Sequence, residues 1–196
     1  MPKYARLSTL SAKKYFAVAD AAAVFTVKPA SARVLCVRAV KEGIFVRLKN
    51  NFYITDQRWE RLNQRDFFEI SNYLQVPSYV SFLSALSWYG ISTQVPRQFF
   101  ENASLKRTRT FTARDTTFAY YKLKKELFTG FTKKDGFFIA TPEKAFLDAV
   151  YLYSFGKYKL DIPALDTAKL QTSQLKKLLG LFPKKTQQIA RKLCKI

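Results

Sequence analysis

The chain has 196 residues, 48% of them hydrophobic, and its 34 Lys and Arg against 14 Asp and Glu give a formal net charge of +20. The hydrophobic content excludes global disorder, and the length allows one large domain or two small ones. The positive charge indicates a polyanionic partner, either nucleic acid or an anionic membrane surface.

The first 55 residues are predicted to form three helices and a hairpin. In chain order the pattern indicates a helix over 4–15, a very short strand at 16–18, and helices over 20–25 and 29–42. Pro29 suits the first turn of the last helix, and Gly43 is placed to end it. The segment IFVRLKNNFYI then predicts strands over 44–48 and 52–54, with a tight turn at 49–51 that Asn tolerates.

The helix over 29–42 has two faces in helical projection. Ala32, Cys36, Ala39 and Val40 share the face that we expect to be buried. The opposite face is small, mildly apolar and basic, with Arg33 at its border; it carries Ala30, Val34, Val37, Arg38 and Lys41. This order of helices followed by a hairpin is that of a winged helix-turn-helix, so we predict a DNA-binding domain over residues 1–60.

Two elements of this domain are predicted to contact DNA. On the helix the candidates are Ser31, Arg33, Arg38 and Lys41, and on the hairpin they are Arg47, Lys49 and Asn50. Arginine can donate two hydrogen bonds to guanine, and Ser31 near the helix start can bind a phosphate. The hairpin cations would mostly position the duplex.

Residues 61–196 are predicted to form a mixed α/β domain, so the fold class is α+β. Residues 56–65 are a linker or the start of a connecting helix, 66–75 are helical, and Ser78 is predicted to cap a helix over 79–89. A small antiparallel sheet is expected from strands between 95 and 123 and at 137–140, and Thr141-Pro142-Glu143 opens a helix to about 153. The last segment, 171–196, predicts one or two helices with seven Lys or Arg and no acidic residue, a basic tail that we interpret as a solvated face rather than a second electrostatic contact.

A second basic cluster stands beside aromatic residues at Lys106, Arg107, Arg109 and Arg114. It is either a row of exposed strand residues or a second contact with DNA, RNA or an acidic partner. Glu143 and Asp148 raise the hypothesis of a metal-dependent nuclease, but the motif of an acidic residue followed by Glu-x-Lys on a strand is absent. Glu143 is better interpreted as a capping or ion-pair residue.

The chain has no histidine and only two cysteines, Cys36 and Cys194. Structural zinc sites and Ser-His-Asp or Cys-His nucleophiles need more than these residues provide. We therefore predict no catalytic residue, no metal and no cofactor. No apolar run reaches the roughly 18 residues of a membrane span, and MPKYARLSTL lacks the apolar core of a signal peptide, so we expect a cytoplasmic protein with no membrane contact.

Five segments of the second half form a specific pattern: PSYVSFLSALSWYGI (77–91), VP (95–96), SLKRTRTF (104–111), GF (130–131) and ATPEKAFLDAVYL (140–152). This pattern resembles the AbiEi family, the antitoxins and transcriptional regulators of type IV toxin–antitoxin systems linked to phage defence. The resemblance extends over most of residues 15–155.

The resemblance implies an N-terminal winged helix that binds operator DNA and represses its own operon. It also implies a C-terminal domain that counters a nucleotidyltransferase-like toxin, by contact or by opposing its effect. The family hairpin commonly has Arg-Gly before its aromatic residue, whereas this chain has Lys49-Asn50-Asn51-Phe52, so we expect the hairpin to form with altered contacts. We expect an inverted repeat in the double-stranded operator, two or more molecules bound to it, and no catalysis.

Two other functions stay open at the level of the sequence. An RNA-binding module would stack bases on the aromatic and basic strands near 104–123. A metal-dependent nuclease would use Glu143 and Asp148, and its activity would require a divalent cation.

Overall fold

A computed structural model describes residues 3–196 and confirms an α+β protein. The chain divides into two compact units. The first runs to Phe67 and also includes the short segment Phe111–Thr116. The second contains Phe68–Thr110 and Thr117–Ile196.

The first unit contains four helices and a small sheet within its described residues. Its elements are α1 Lys3–Ser11, β1 Phe16–Ala17, α2 Val18–Phe25, α3 Pro29–Lys41, β2 Phe45–Lys49, β3 Phe52–Thr55 and α4 Asp56–Trp59. The strands form an antiparallel sheet in the order β1-β3-β2, and the predicted hairpin is confirmed. The first helix ends earlier than predicted, at Ser11, because Phe16 enters the sheet opposite Tyr53.

The core of the first unit is built from small residues on the helices and aromatic residues on the strands. Ala21, Ala32 and Cys36 are fully buried, so α2 and α3 can pack closely. Phe16 meets Phe45 edge to face, with 4.9 Å between ring centroids. This pair joins β1 to β2, and both rings lie in the same buried core as the small residues of α2 and α3, which positions the hairpin.

Helix α5, Gln64–Leu74, and strand β6, Arg109–Ala113, each contain residues of both units, and the remaining elements belong mainly to the second. They are β4 Ser78–Val80, α6 Phe82–Trp88, β5 Phe99–Ser104, β7 Thr116–Lys122, β8 Phe131–Lys134, β9 Phe137–Ala140, α7 Pro142–Ser154, α8 Thr172–Leu179 and α9 Lys184–Cys194. Short 3₁₀ turns lie between β7 and β8 and between α7 and α8.

The prediction of a small antiparallel sheet is wrong. A six-stranded mixed sheet, whose residues belong mainly to the second unit, has the order β6-β7-β5-β4-β9-β8. β4 pairs in parallel with β9, and β5 pairs in parallel with β7, whereas β4/β5 and β8/β9 are antiparallel. Parallel pairs join strands that are distant in the chain, and strand alternation alone does not indicate such pairing.

The predicted helix over 79–89 begins later, and Ser78 does not cap it. Ser78–Val80 is the strand β4, which is buried between β5 and β9, and the helix α6 starts at Phe82 with Ser81 as its N-cap residue. The backbone groups of this segment are satisfied by two neighbouring strands, a tertiary effect that overrides the local helix signal.

The tail forms the two helices α8 and α9, and both pack on α7. Leu175, Leu179 and Ala190 of these helices are buried, and their lysines are exposed. Across residues 3–196, no helix has the length and apolar character that crossing a membrane requires.

Candidate nucleic-acid interface

Helix α3 is joined to α2 by the three-residue turn Thr26-Val27-Lys28. Thr26 adopts a left-handed conformation with φ of 56°, and the Val27 amide donates to the Ala22 carbonyl at 3.0 Å. Pro29 then occupies the first turn of α3, where its missing N–H is not needed. The tight turn and the small buried residues of α3 hold this helix against α2 while leaving its outer face in solvent.

The outer face of α3 combines apolar and cationic side chains. Val34 is 51% exposed and Val37 is 43% exposed. The four candidates on this helix, Ser31, Arg33, Arg38 and Lys41, are all exposed. Among the interactions of residues 3–196, no side-chain hydrogen bond or ion pair involves any of these four. Their polar groups are therefore available to a ligand.

The end of α3 is tied to the hairpin. Gly43 follows the helix with φ of 74°, as the sequence predicted, and the Ile44 amide donates to the Ala39 carbonyl at 2.8 Å. Beneath the helix, burial raises the pKa of the Cys36 thiol to about 11, so Cys36 acts as a small apolar residue. The helix and the hairpin thus share one core.

The hairpin tip carries the remaining three candidates. Arg47 is exposed, and its Nη2 donates to the Asn50 Oδ1 at 3.2 Å. Lys49 lies with its Nζ 4.7 Å from the centroid of the Phe52 ring. The tip is anchored from below, because the Val18 amide donates to the Asn51 carbonyl at 3.2 Å. All seven residues predicted to contact DNA therefore belong to two consecutive elements of one unit.

The second basic cluster is divided between the two units. Arg114 forms ion pairs with Asp56 and Glu60 within the first unit, so its charge is already compensated. Lys106, Arg107 and Arg109 are exposed in the second unit. Arg107 also has a structural contact, since its carbonyl accepts a hydrogen bond from Gln75 Nε2 at 2.8 Å.

The two carboxylates of the nuclease hypothesis are buried and engaged. Asp148 is fully buried, forms an ion pair with Lys144, and accepts hydrogen bonds from Tyr79 at 3.0 Å and from Ser81 at 2.8 Å. Glu143 accepts from the Gln171 amide at 3.0 Å. Burial raises the pKa of Asp148 and lowers that of Lys144, while their mutual attraction opposes both shifts.

Sequence reasoning did not foresee that the motifs PSYVS and ATPEKAFLD meet in this cluster. Tyr79 comes from β4 and Ser81 from the N-cap position of α6, and Lys144 and Asp148 come from one face of α7, where residues four apart are neighbours. Gly130 completes it, since a Cβ at this position would lie 3.1 Å from the Lys144 side chain. A Lys-x-x-x-Asp spacing within an apolar helix was the available signal.

A second buried acid, Glu101 on β5, was also missed. Its carboxylate accepts from the Tyr158 hydroxyl at 2.9 Å, the Leu83 amide at 3.0 Å and the Tyr121 hydroxyl at 3.3 Å. Burial raises the pKa of Glu101 to about 7, although these hydrogen bonds act in the opposite direction. Within residues 3–196, no three His, Cys, Asp or Glu residues form a group that could hold a metal ion.

Comparison with known proteins assigns no family to this chain. No protein-family model matches it, and no curated protein matches it significantly.

Proposed function

We propose that the chain is a DNA-binding transcriptional repressor and antitoxin of the AbiEi type. In this proposal residues 1–60 form a winged helix, α3 enters the major groove of a double-stranded operator, and the β2–β3 hairpin lies along the phosphate backbone. The observation that carries the proposal is the outer face of α3, where exposed valines stand beside unpaired cationic side chains.

A purely solvated helix face does not need these valines. Exposed apolar area contributes nothing favourable in water, whereas in the major groove it can contact thymine methyl groups. The arginines on either side of the valines can bind guanine, and hairpin cations such as Arg47 can bind phosphate. The mixture therefore suits base recognition better than general solubility.

The antitoxin part of the proposal is supported by the resemblance of residues 77–152 to the AbiEi family. The partner would be a nucleotidyltransferase-like toxin. Two molecules would occupy one operator, because an inverted repeat matches the symmetry of a protein pair.

Fluorescence anisotropy tests the repressor part. The full chain should bind DNA from upstream of its own operon about a hundredfold more tightly than scrambled duplex at the same salt concentration. Arg38→Ala should lower this ratio about tenfold, because a bidentate contact with a base is lost. The matched control is Arg61→Ala, which removes an exposed arginine of the same unit outside α3 and the hairpin. Equal affinity of the unaltered chain for both duplexes would overturn the proposal.

Co-expression with the toxin separates the repressor part of the proposal from the antitoxin part. The Arg38→Ala chain should still protect cells that express the nucleotidyltransferase-like toxin encoded beside it, although it should repress the operon more weakly. Loss of protection with unchanged folding would mean that α3 itself acts on the toxin, contrary to the proposed division of labour.

A further inference from the structure

The second unit contains an open pocket in which lysines and aromatic rings converge. Its volume is about 710 Å³, a size within the range of ligand pockets.

The pocket has three lysines and no acidic residue among its lining residues. Lys122 ends β7, Lys124 follows it, and Lys157 follows α7. Among the ion pairs of residues 3–196, none involves these three amines. The C-terminal end of α7 carries only about half a negative charge, too little to balance three cations. Charge complementarity therefore calls for an anionic ligand.

The pocket also has an aromatic wall that is already positioned. Tyr121 is fixed by its hydrogen bond to the buried Glu101 at 3.3 Å and by an edge contact with Phe82, 4.8 Å between ring centroids. Phe155 is 47% exposed and meets Tyr151 edge to face at 5.4 Å. An exposed ring beside unpaired amines suits a ligand that has both a flat aromatic part and a negative charge.

We propose that this pocket binds a nucleoside phosphate, with its base against Phe155 or Tyr151 and its phosphate between Lys122, Lys124 and Lys157. The ligand is either a free nucleotide or one nucleotide of a single strand, since both present the same base and phosphate. Aromatic stacking and cationic contacts are the usual means of binding such groups. This inference is independent of the proposed function, because the pocket and α3 belong to different units and duplex DNA plays no part in it.

Isothermal titration calorimetry on the full chain tests the proposal with AMP, adenosine, inorganic phosphate and a single-stranded tetra-adenylate RNA. AMP or the tetranucleotide should bind saturably, and adenosine and phosphate should each bind at least about tenfold more weakly. Tighter binding of the tetranucleotide would identify a strand as the occupant, and equal or tighter binding of AMP would identify the free nucleotide. Absence of saturable binding by both would overturn the proposal.

Variants locate the site. The double variant Lys122→Gln, Lys157→Gln should weaken binding about tenfold or more. The control variant Lys176→Gln, Lys177→Gln removes the same charge from exposed positions on α8, and it should leave the binding affinity unchanged. Phe155→Leu should weaken binding about tenfold, and Phe155→Trp should preserve it, because only the latter retains an aromatic face. If both double variants lost affinity equally, binding would depend on the total positive charge of the protein rather than on this pocket, and the assignment would be overturned.

Discussion

At the scale of single residues, Val34 and Val37 make the proposed DNA contact chemically testable. Their exposure on α3 suits contact with thymine 5-methyl groups. If duplex selection yields a preferred site containing thymines under α3, replacing these with deoxyuridine removes only the methyl groups. We expect about a tenfold loss of affinity, from about 1 kcal/mol for each of one or two buried methyl groups.

The valine variants provide the control. In the chain with Val34→Ala and Val37→Ala, affinity for the thymine duplex should fall, and the uracil substitution should then have little further effect. Full additivity of the two changes, measured by anisotropy, would show that the methyl groups and the valines do not touch.

Glu101 gives a pH dependence of stability. Its folded-state pKa of about 7 lies above the ordinary value of 4.5, so folding favours the protonated form. The stabilisation is fully present below the ordinary value and is lost as the pH rises through about 7. Between about pH 5 and pH 8 the free energy of unfolding should fall by about 3 kcal/mol relative to Glu101→Gln, as measured by urea unfolding.

The Glu101→Gln chain keeps a similar shape but cannot ionise, so the comparison cancels the titration of the other groups. A constant difference between the two chains over this pH range would contradict the elevated pKa of Glu101.

At the scale of elements, the hairpin depends on the left-handed backbone of Asn51, whose φ is 63°. Asn51→Val should lower the free energy of unfolding of the hairpin by about 1–2 kcal/mol, because an ordinary side chain is strained in this conformation. Asn51→Gly should be nearly neutral. Hydrogen exchange of the β2 and β3 amides measures both effects.

Asn50→Val is the matched control, since Asn50 does not have a positive φ. A cost at Asn50 equal to that at Asn51 would show that side-chain type, rather than backbone conformation, decides the stability of the turn.

The elements differ in how far the sequence predicts them. Helix α3 and the hairpin were predicted closely, because Pro29, Gly43 and the Asn-Asn turn are local signals. Strand β4 was missed, since its extended conformation comes from hydrogen bonds to β5 and β9 rather than from its own residues. The side chains of the candidate interface were predicted by type and spacing, whereas the ion pairs of Arg114 depend on residues more than fifty positions away.

At the scale of the whole molecule, the net charge of +20 raises the question of how many cations act together. The proposed interface uses only five, Arg33, Arg38, Lys41, Arg47 and Lys49. Because the arginines of α3 are proposed to bind guanine, Lys41, Arg47 and Lys49 remain for phosphate, and three phosphate contacts predict a slope of about −3 for the logarithm of operator affinity against the logarithm of salt concentration. Anisotropy across a salt series measures this slope.

Removing Arg47 should reduce the slope by about one, and Arg61→Ala should not change it. A slope steeper than about −10 in the unaltered chain would mean that cations far beyond α3 and the hairpin contact DNA.

The buried cluster around Lys144 and Asp148 restricts how this chain can diverge. Replacing either partner alone leaves an uncompensated charge in the interior, at a cost of about 3–5 kcal/mol, and a side chain at Gly130 would press on Lys144. A single substitution at Lys144 or Asp148 is therefore strongly destabilising. Only a joint exchange of both residues avoids an unpaired buried charge. Exposed positions around the cluster are not coupled in this way, so new ligand contacts can arise there one residue at a time.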